Sequence, residues 1–464
     1  MKRIFFVGAV LGIVFLLLFY LMDIKKELWD SSEREAVVNE EKNDEIEQID
    51  SQEEVDSQEE ADSEKEVEIK KEEKKEQKIL KDSKSDSSLE KSRWDTKESL
   101  SSEESGEDFS KENEIDQKID EILDKMTLEE KTAQLLVVLP ESLTGVGHVV
   151  AAGEVTKNAI SQYPVGGIIY METHVVSEYQ FIDMVKNIQS FSEERIGIPL
   201  LICIDEEGGR VRRISGKGIE GVPEIPSMYE IGSTKDAQEA YRIGCKLASY
   251  LERFQVNTDF APVADVFSNE NNTVIGTRSF GNDAALVADM VEQEVRGLQE
   301  NHISATLKHF PGHGDTAEDS HLGGAYSYKT LEELRECEFL PFQAGIDAGA
   351  DFVMMGHISL PNVLGEDIPS SLSHRMVTEI LREELGFQGI VITDAMNMAA
   401  ITSRYSSAEA AVLALKAGVD IILEPSDFRA AYQGVLEAVE NGDIEEERID
   451  ESVRRILGVK LGNS

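Results

Sequence analysis

Cysteine is scarce in this chain of 464 residues: Cys203, Cys245 and Cys337 are the only three, too few and too scattered for a disulfide framework or a zinc site. They are expected to be small core hydrophobes, the usual fate of a free thiol. Positive charge is scarce too. With 46 basic against 91 acidic residues and a formal charge of −45, nucleic acid is excluded as the natural partner, because neutralising its phosphates requires clustered Lys and Arg. Long hydrophobic runs are missing everywhere except at one end, where Ile4 to Met22 forms 19 uncharged residues behind Met1, Lys2 and Arg3. At a rise of about 1.5 Å per residue such a run crosses the hydrocarbon core of a bilayer. The small-residue pattern of a cleaved leader is absent, since Leu21, Met22 and Asp23 follow, and no cysteine stands there for lipid attachment. Residues 1–22 are therefore expected to be an uncleaved, single-pass signal anchor. Lys25 and Lys26 beyond it argue for the opposite orientation, and that alternative stays open.

Apolar side chains are also lacking from 23 to 117, where 35 acidic and 16 basic residues fall among 95, with no proline. Such a stretch cannot offset its ordering entropy by burying apolar surface. Within it the hexads DSQEEV, DSQEEA and DSEKEV begin at Asp50, Asp56 and Asp62, and none offers a face wide enough to pack. An acidic, disordered, low-complexity linker is expected. A solvated single helix from Glu64 to Lys81 is the alternative that propensity allows.

Residues 118–464 read as one globular domain that is itself acidic, with 56 acidic and 28 basic side chains. Two short helices open it: an amphipathic pattern at Ile119, Ile122, Leu123 and Met126, then Thr127 with Glu130 as a capping box. Eight apolar runs follow, at Leu135 to Leu139, Val165 to Met171, Leu200 to Asp205, Thr258 to Val266, Ser304 to Phe310, Asp351 to Ile358, Gly389 to Thr393 and Asp420 to Leu423. Helical spacing appears between them at Tyr179 to Phe191, Asp236 to Arg253, Ala284 to Glu300, Thr330 to Ala348 and Ser373 to Leu385. Eight buried strands separated by helices or long loops predict an α/β fold, a (β/α)8 barrel of TIM type, in preference to an open doubly wound sheet.

Polar residues then recur at one end of those runs: Asp205, Asp265, Lys308, His309, His357 and Asp394. In a barrel the carboxyl ends of the strands carry the chemistry, so these side chains are expected to converge on one mouth. Any one of them could simply mark a strand exit; together they are harder to dismiss. The densest segment is KHFPGHGDTAEDSH, Lys308 to His321. Its Pro311, Gly312 and Gly314 allow a tight loop that could gather His309, His313, Asp315, Asp319 and His321. No metal is expected there, because the histidines are spaced along a Gly- and Pro-broken loop without a helical ligand pattern.

The segments IDEEGGRVRR (Ile204 to Arg213), FAPVADV (Phe260 to Val266), IGTRSFG (Ile275 to Gly281), KHFPGHGDT (Lys308 to Thr316), DSH (Asp319 to His321) and ITDAMNM (Ile392 to Met398) resemble, in this order, the glycoside hydrolase family 3 β-N-acetylhexosaminidases of the bacterial cell-wall recycling type. The resemblance implies that Asp394 is the nucleophile of a retaining mechanism and that His321 is the general acid/base, held and tuned by Asp319. It further implies that Asp205, Arg213, Arg278, Lys308 and His309 grip the sugar. Gly208 and Gly209 are expected to serve close backbone packing rather than phosphate binding.

In the β-glucosidase branch of the family, which this chain resembles less, the acid/base comes from a second domain, for which no sequence remains after DESVRRILGVKLG. The expected activity is hydrolysis of terminal β-linked N-acetylglucosamine from peptidoglycan-derived glycans or muropeptides, without a cofactor. Phosphorolysis or a broader β-glycosidase activity are alternatives, and a silent wall-binding module is a third. An outward-facing enzyme at the cell membrane is expected, a monomer, its barrel roughly 50 Å from the bilayer on a coil-like linker.

Overall fold

The computed structural model describes residues 114–316 and 323–462. The anchor at 1–22, nearly all of the linker, and the dyad Asp319 and His321 lie outside the described residues. Among the described residues no helix is long and apolar enough to cross a membrane.

The strands in chain order are β1 (Leu136–Val138), β2 (Gly167–Ile169), β3 (Leu201–Ile204), β4 (Thr258–Asp259), β5 (Ser304–Phe310), β6 (Ala325–Tyr326), β7 (Phe352–Met355), β8 (Ile358–Ser359), β9 (Ile390–Thr393) and β10 (Ile422–Leu423). Eight of them form one parallel sheet in the order β10-β1-β2-β3-β4-β5-β7-β9, while β6 and β8 pair separately. The sheet closes on itself through a parallel bridge between Ile392 and Ile421, where Thr393 N–H donates to Ile421 O at 3.0 Å and Ile421 N–H to Val391 O at 3.1 Å. All eight expected runs thus become barrel strands. Every residue in them is buried, as strands covered on both faces require.

The run expected to extend from Thr258 to Val266 is a regular strand only at Thr258–Asp259. Pro262 has no N–H to give a ladder, yet the chain stays beside β5, with Ala264 N–H donating to Lys308 O at 2.7 Å. The run to Ile358 likewise divides, into β7 and the short β8.

The helices that cover the barrel include α1 (Leu128–Gln134), α2 (Glu178–Ile196), α3 (Ala237–Arg253), α4 (Ala284–Gln299), α5 (Leu331–Glu336), α6 (Phe339–Asp347) and α7 (Glu446–Gly462). The expected capping box begins α1: Glu130 N–H donates to Thr127 Oγ1 at 3.3 Å and Thr127 N–H to Glu130 Oε2 at 3.2 Å. The single helix expected from Thr330 to Ala348 is instead two, broken at Cys337 with φ −134° and ψ −75°. Pro341, which cannot donate to residue 337, accounts for the restart. Cys203 is buried in β3 as expected, whereas Cys245 and Cys337 are only partly buried.

Closure is braced from below by Asp420, fully buried just before β10. Its Oδ2 accepts from Val391 N–H at 2.9 Å and from Arg382, and its Oδ1 from Ser452 Oγ at 2.7 Å and Arg455 Nη1 at 3.0 Å. One carboxylate therefore ties β9, the helical segment Arg375–Glu384 and α7 together. Replacing it strands buried guanidinium groups, so Asp420→Ala is expected to lower stability by about 3–5 kcal/mol. Urea denaturation should show this as a lower midpoint at similar slope; an unchanged midpoint would refute the bracing role.

Candidate active site

The loop leaving β3 is built around Glu206. This buried carboxylate accepts from the N–H groups of Arg213, Ile214 and Ser215 at 2.7, 2.8 and 2.9 Å and from the Tyr250 hydroxyl at 2.9 Å. Its own N–H donates to Asp259 Oδ1 at 2.9 Å. The chain can turn this tightly because Gly208 and Gly209 take φ values of +86° and +53°, where an added Cβ would come within 2.5 Å of Ile225 Cγ2 and 2.9 Å of Ser227 Cα. Close packing is thus their service, as expected. The two neighbours of Glu206, Asp205 and Glu207, are left to face charged partners.

Lys308, near the end of β5, lies between them. Its Nζ stands 2.9 Å from Asp205 Oδ1 and 2.6 Å from Glu207 Oε1, and its side chain is 1% exposed. Burial alone would drive the proton off this ammonium, but Asp205 and Glu207 reverse the balance and raise its pKa. Glu207 also takes a two-pronged bond from Arg278, Nε at 2.8 Å and Nη2 at 2.7 Å. Burial opposes its ionisation, yet Arg278 and Lys308 hold its carboxyl far below the usual range. Asp205, bonded to Arg213 Nη2 at 3.2 Å, is lowered in the same way: burial resists, then Lys308 and Arg213 outweigh it.

His309 is aimed by Asp265, whose Oδ2 lies 2.7 Å from His309 Nδ1 while Oδ1 accepts from the N–H groups of His309 and His313 at 3.2 and 2.6 Å. The opposite ring nitrogen, Nε2, is 3.4 Å from Arg278 Nη2. His313 packs edge-on against His309, with ring centroids 5.8 Å apart. Burial first, and then its histidine neighbour, lower its pKa.

These groups open onto one cavity of about 260 Å³ at the carboxyl ends of the strands, below the size of a site for a drug-sized ligand and suited to one compact ring. Asp205, Arg213, Arg278, Lys308, His309 and Asp394, all selected in the sequence, line it together. Asp394 follows β9, its N–H donating to Met355 O at 2.9 Å and its Oδ1 accepting from Ala395 N–H at 2.7 Å. Apolar walls come from Ile169, Val211, Phe260, Val274, Met354 and Leu423.

Two expected members of the mouth, His357 and Asp265, lie elsewhere, and so does Asp315, which the loop was expected to gather with the histidines. His357 is buried away from the cavity, its Nδ1 at 2.8 Å from Ser371 Oγ and its Nε2 at 3.2 Å from Ala395 O, so it secures the turn after β9. Asp265 stands behind His309 rather than on the cavity wall. Asp315 turns to Ser327 Oγ at 2.7 Å. The sequence reading, in turn, passed over Glu206, Glu207 and Glu424. The first two lie inside IDEEGGRVRR, and Glu424 directly follows β10, the strand-end signal that marked Asp205 and Asp394.

An all-parallel barrel with carboxylates and cationic forks around a one-ring cavity defines a class of enzyme that works on small polar rings at its strand ends. Residues 127–459 match the model of the glycosyl hydrolase family 3 N-terminal domain, and the chain belongs to that family. It is 38% identical over 265 residues to a beta-hexosaminidase of Stenotrophomonas maltophilia (strain R551-3), covering 56% of this chain and 76% of that one. It is 33% identical over 325 residues to beta-hexosaminidase A of Pseudoalteromonas piscicida, covering 65% of this chain and 54% of that one. A solved glycoside hydrolase family 3 beta-N-acetylglucosaminidase from Paenibacillus sp. str. FPU-7 superposes with a TM-score of 0.69 at 38% identity, over 73% of this chain and 63% of that chain. The chain thus spans about half the length of the Pseudoalteromonas relative.

The Glu207 network sets a pH dependence. A carboxyl whose pKa is lowered on folding contributes stability above its unfolded value, near 4.5, and loses it as pH falls toward the folded value. Glu207→Gln should therefore be less stable than wild type at pH 7, by about 3–5 kcal/mol, and the difference should shrink between pH 5 and pH 2. Denaturation midpoints across that range test it; a gap independent of pH would contradict the ionised network.

Proposed function

We propose that this chain is a retaining exo-β-N-acetylglucosaminidase acting on peptidoglycan-derived or related glycans. The observation that carries the reading is that Asp394 shares one ring-sized cavity with Asp205, Arg213, Arg278, Lys308 and His309. The beta-hexosaminidase relatives support the choice of sugar.

In this reading the sugar hydroxyls bond to Asp205, Arg213, Lys308 and His309: the first three are held as paired charges and the imidazole is aimed by Asp265 before substrate arrives. Asp394 attacks the anomeric carbon as the glycosidic bond breaks, and the leaving oxygen takes a proton from His321. The glycosyl–Asp394 ester is then cleaved by a water whose proton returns to His321, giving retention of configuration. Asp319 orients the imidazole for both proton transfers. The roles of His321 and Asp319 rest on the DSH motif. The apolar run at 4–22 and the acidic stretch after it support a membrane-tethered enzyme facing the wall.

The test is turnover of 4-nitrophenyl N-acetyl-β-D-glucosaminide beside the matching glucoside. The N-acetylated sugar should be preferred; a preference for the glucoside would overturn the specificity. Asp394→Asn should abolish turnover, while His321→Ala should lose about 10²–10⁴-fold on natural glycans and clearly less on the nitrophenyl substrate, whose leaving group needs little protonation. Equal losses on both would remove His321 as acid/base. In phosphate buffer the released product should remain the free sugar; appearance of its 1-phosphate would establish phosphorolysis instead. Protease added to intact protoplasts should digest the barrel, and full protection would place it inside the cell.

A further inference from the structure

Glu424 is a charged group of the cavity to which neither the family motifs nor the mechanism above gives a task. It directly follows β10, is 6% exposed and sits at φ +44°, a backbone region that residues with a Cβ seldom occupy and that is held only where the surroundings fix it. Its N–H donates to Val137 O at 2.9 Å, anchoring it to β1. Its Oε2 accepts from Asn397 Nδ2 at 3.1 Å, and Asn397 lies three residues after Asp394. The other oxygen, Oε1, has no hydrogen-bond partner among the described residues. The side chain lines the cavity together with Asp205, Arg213 and Asp394.

Charge matching shows what this oxygen lacks. Arg213 and Lys308 lie within 3.2 Å of Asp205, and Lys308 and Arg278 within 2.7 Å of Glu207, whereas no cation among the described residues comes within ion-pair distance of Glu424, whose side-chain partner is the Asn397 amide. Glu424 is thus a cavity carboxyl held by an amide rather than by a cation. A carboxyl in that position has two ways to balance: it holds a proton, or it receives a positive charge from outside. Burial first, and then Asp205, push its pKa up to about 7, so both forms are accessible near neutral pH. As the acid it can donate to a carbonyl oxygen such as that of an acetamido group. As the carboxylate it can accept a charge-assisted bond from an ammonium.

We infer that Glu424 is a specificity-determining residue that admits β-hexosaminides with a free amino group, its Oε1 pairing with the sugar ammonium, alongside the N-acetylated sugar. The inference rests on the glycosidase reading above and extends it to de-N-acetylated substrates. Asp394 and Glu424 line the same one-ring cavity, so the sugar whose anomeric carbon Asp394 attacks also faces the Glu424 carboxyl.

The experiment compares wild type with Glu424→Gln on two substrates, 4-nitrophenyl 2-amino-2-deoxy-β-D-glucoside and its N-acetylated counterpart. The amide keeps the shape and the hydrogen-bonding capacity but not the charge. The ratio of kcat/KM for the free amine to that for the acetamide should fall at least tenfold in the variant, whatever the loss common to both. A ratio that moves less than twofold overturns the inference, as does a wild type that neither cleaves the free amine nor is inhibited by glucosamine. Should the variant fail to fold, competitive inhibition of wild type decides. Glucosamine should bind more tightly as pH rises from 6 to 7.5 and Glu424 ionises, while N-acetylglucosamine should not; parallel pH profiles for the two would reject it. If wild type cleaves neither glycoside, the hydrolase reading fails by itself. Calorimetric binding of glucosamine, tenfold weaker in Glu424→Gln or unchanged, then still supports or refutes the role of Glu424.

Discussion

Everything at the mouth of this barrel depends on an ammonium group kept charged where there is almost no water. Lys308 survives as a cation because Asp205 and Glu207 flank it within hydrogen-bonding distance, and they in turn are ionised because Lys308, Arg213 and Arg278 surround them. No member is stable alone: each buried charge would carry a desolvation cost of several kcal/mol without the others. The arrangement is worth keeping in a catalytic cavity because its dipoles and charges need no reorganisation when a sugar arrives.

The three consecutive acids of the β3 loop divide the labour sharply. Glu206 has its oxygens occupied by three backbone N–H groups and a tyrosine hydroxyl, so it shapes the loop and has nothing left to offer a ligand. Glu207 is also filled, by Arg278 and Lys308, and acts by holding those two cations in place. Only Asp205 both pairs with cations and reaches the cavity. Identical or near-identical side chains adjacent in sequence thus become scaffold, counter-ion and ligand contact according to which donors surround them.

Much of the architecture was legible in the sequence, since fully buried parallel strands leave uninterrupted apolar runs, and all eight were visible. Boundaries were less so: Pro262 removed a ladder donor from a run that looked continuous, and Pro341 restarted a helix that its spacing had joined. The site residues Asp205, Lys308, His309 and Asp394 announced themselves as polar groups at strand ends. His357 and Asp265 gave the same signal and are supports, because a polar side chain leaving a strand can turn to a neighbouring hydroxyl or imidazole as readily as to the mouth. Glu206 and Glu207 were visible as letters, but the tyrosine hydroxyl that completes Glu206 and the guanidinium that clamps Glu207 are 44 and 71 positions away in the chain, and no local pattern encodes such pairings. Glu424 follows its apolar run as directly as Asp394 follows β9 and carried the same strand-end signal, but it lies in none of the segments that carry the family resemblance.

The five residues from Asp420 to Glu424 carry two unrelated duties at their ends. Asp420 locks the closing seam of the barrel from beneath, Glu424 looks into the cavity from above, and the apolar residues between them fill the wall. Because the two carboxyls contact separate sets of partners, a change at the upper one need not disturb the lower. The last strand thus sets the residue that meets the cavity about 13 Å of extended chain away from the one that guards the fold, so the two ends can be altered separately.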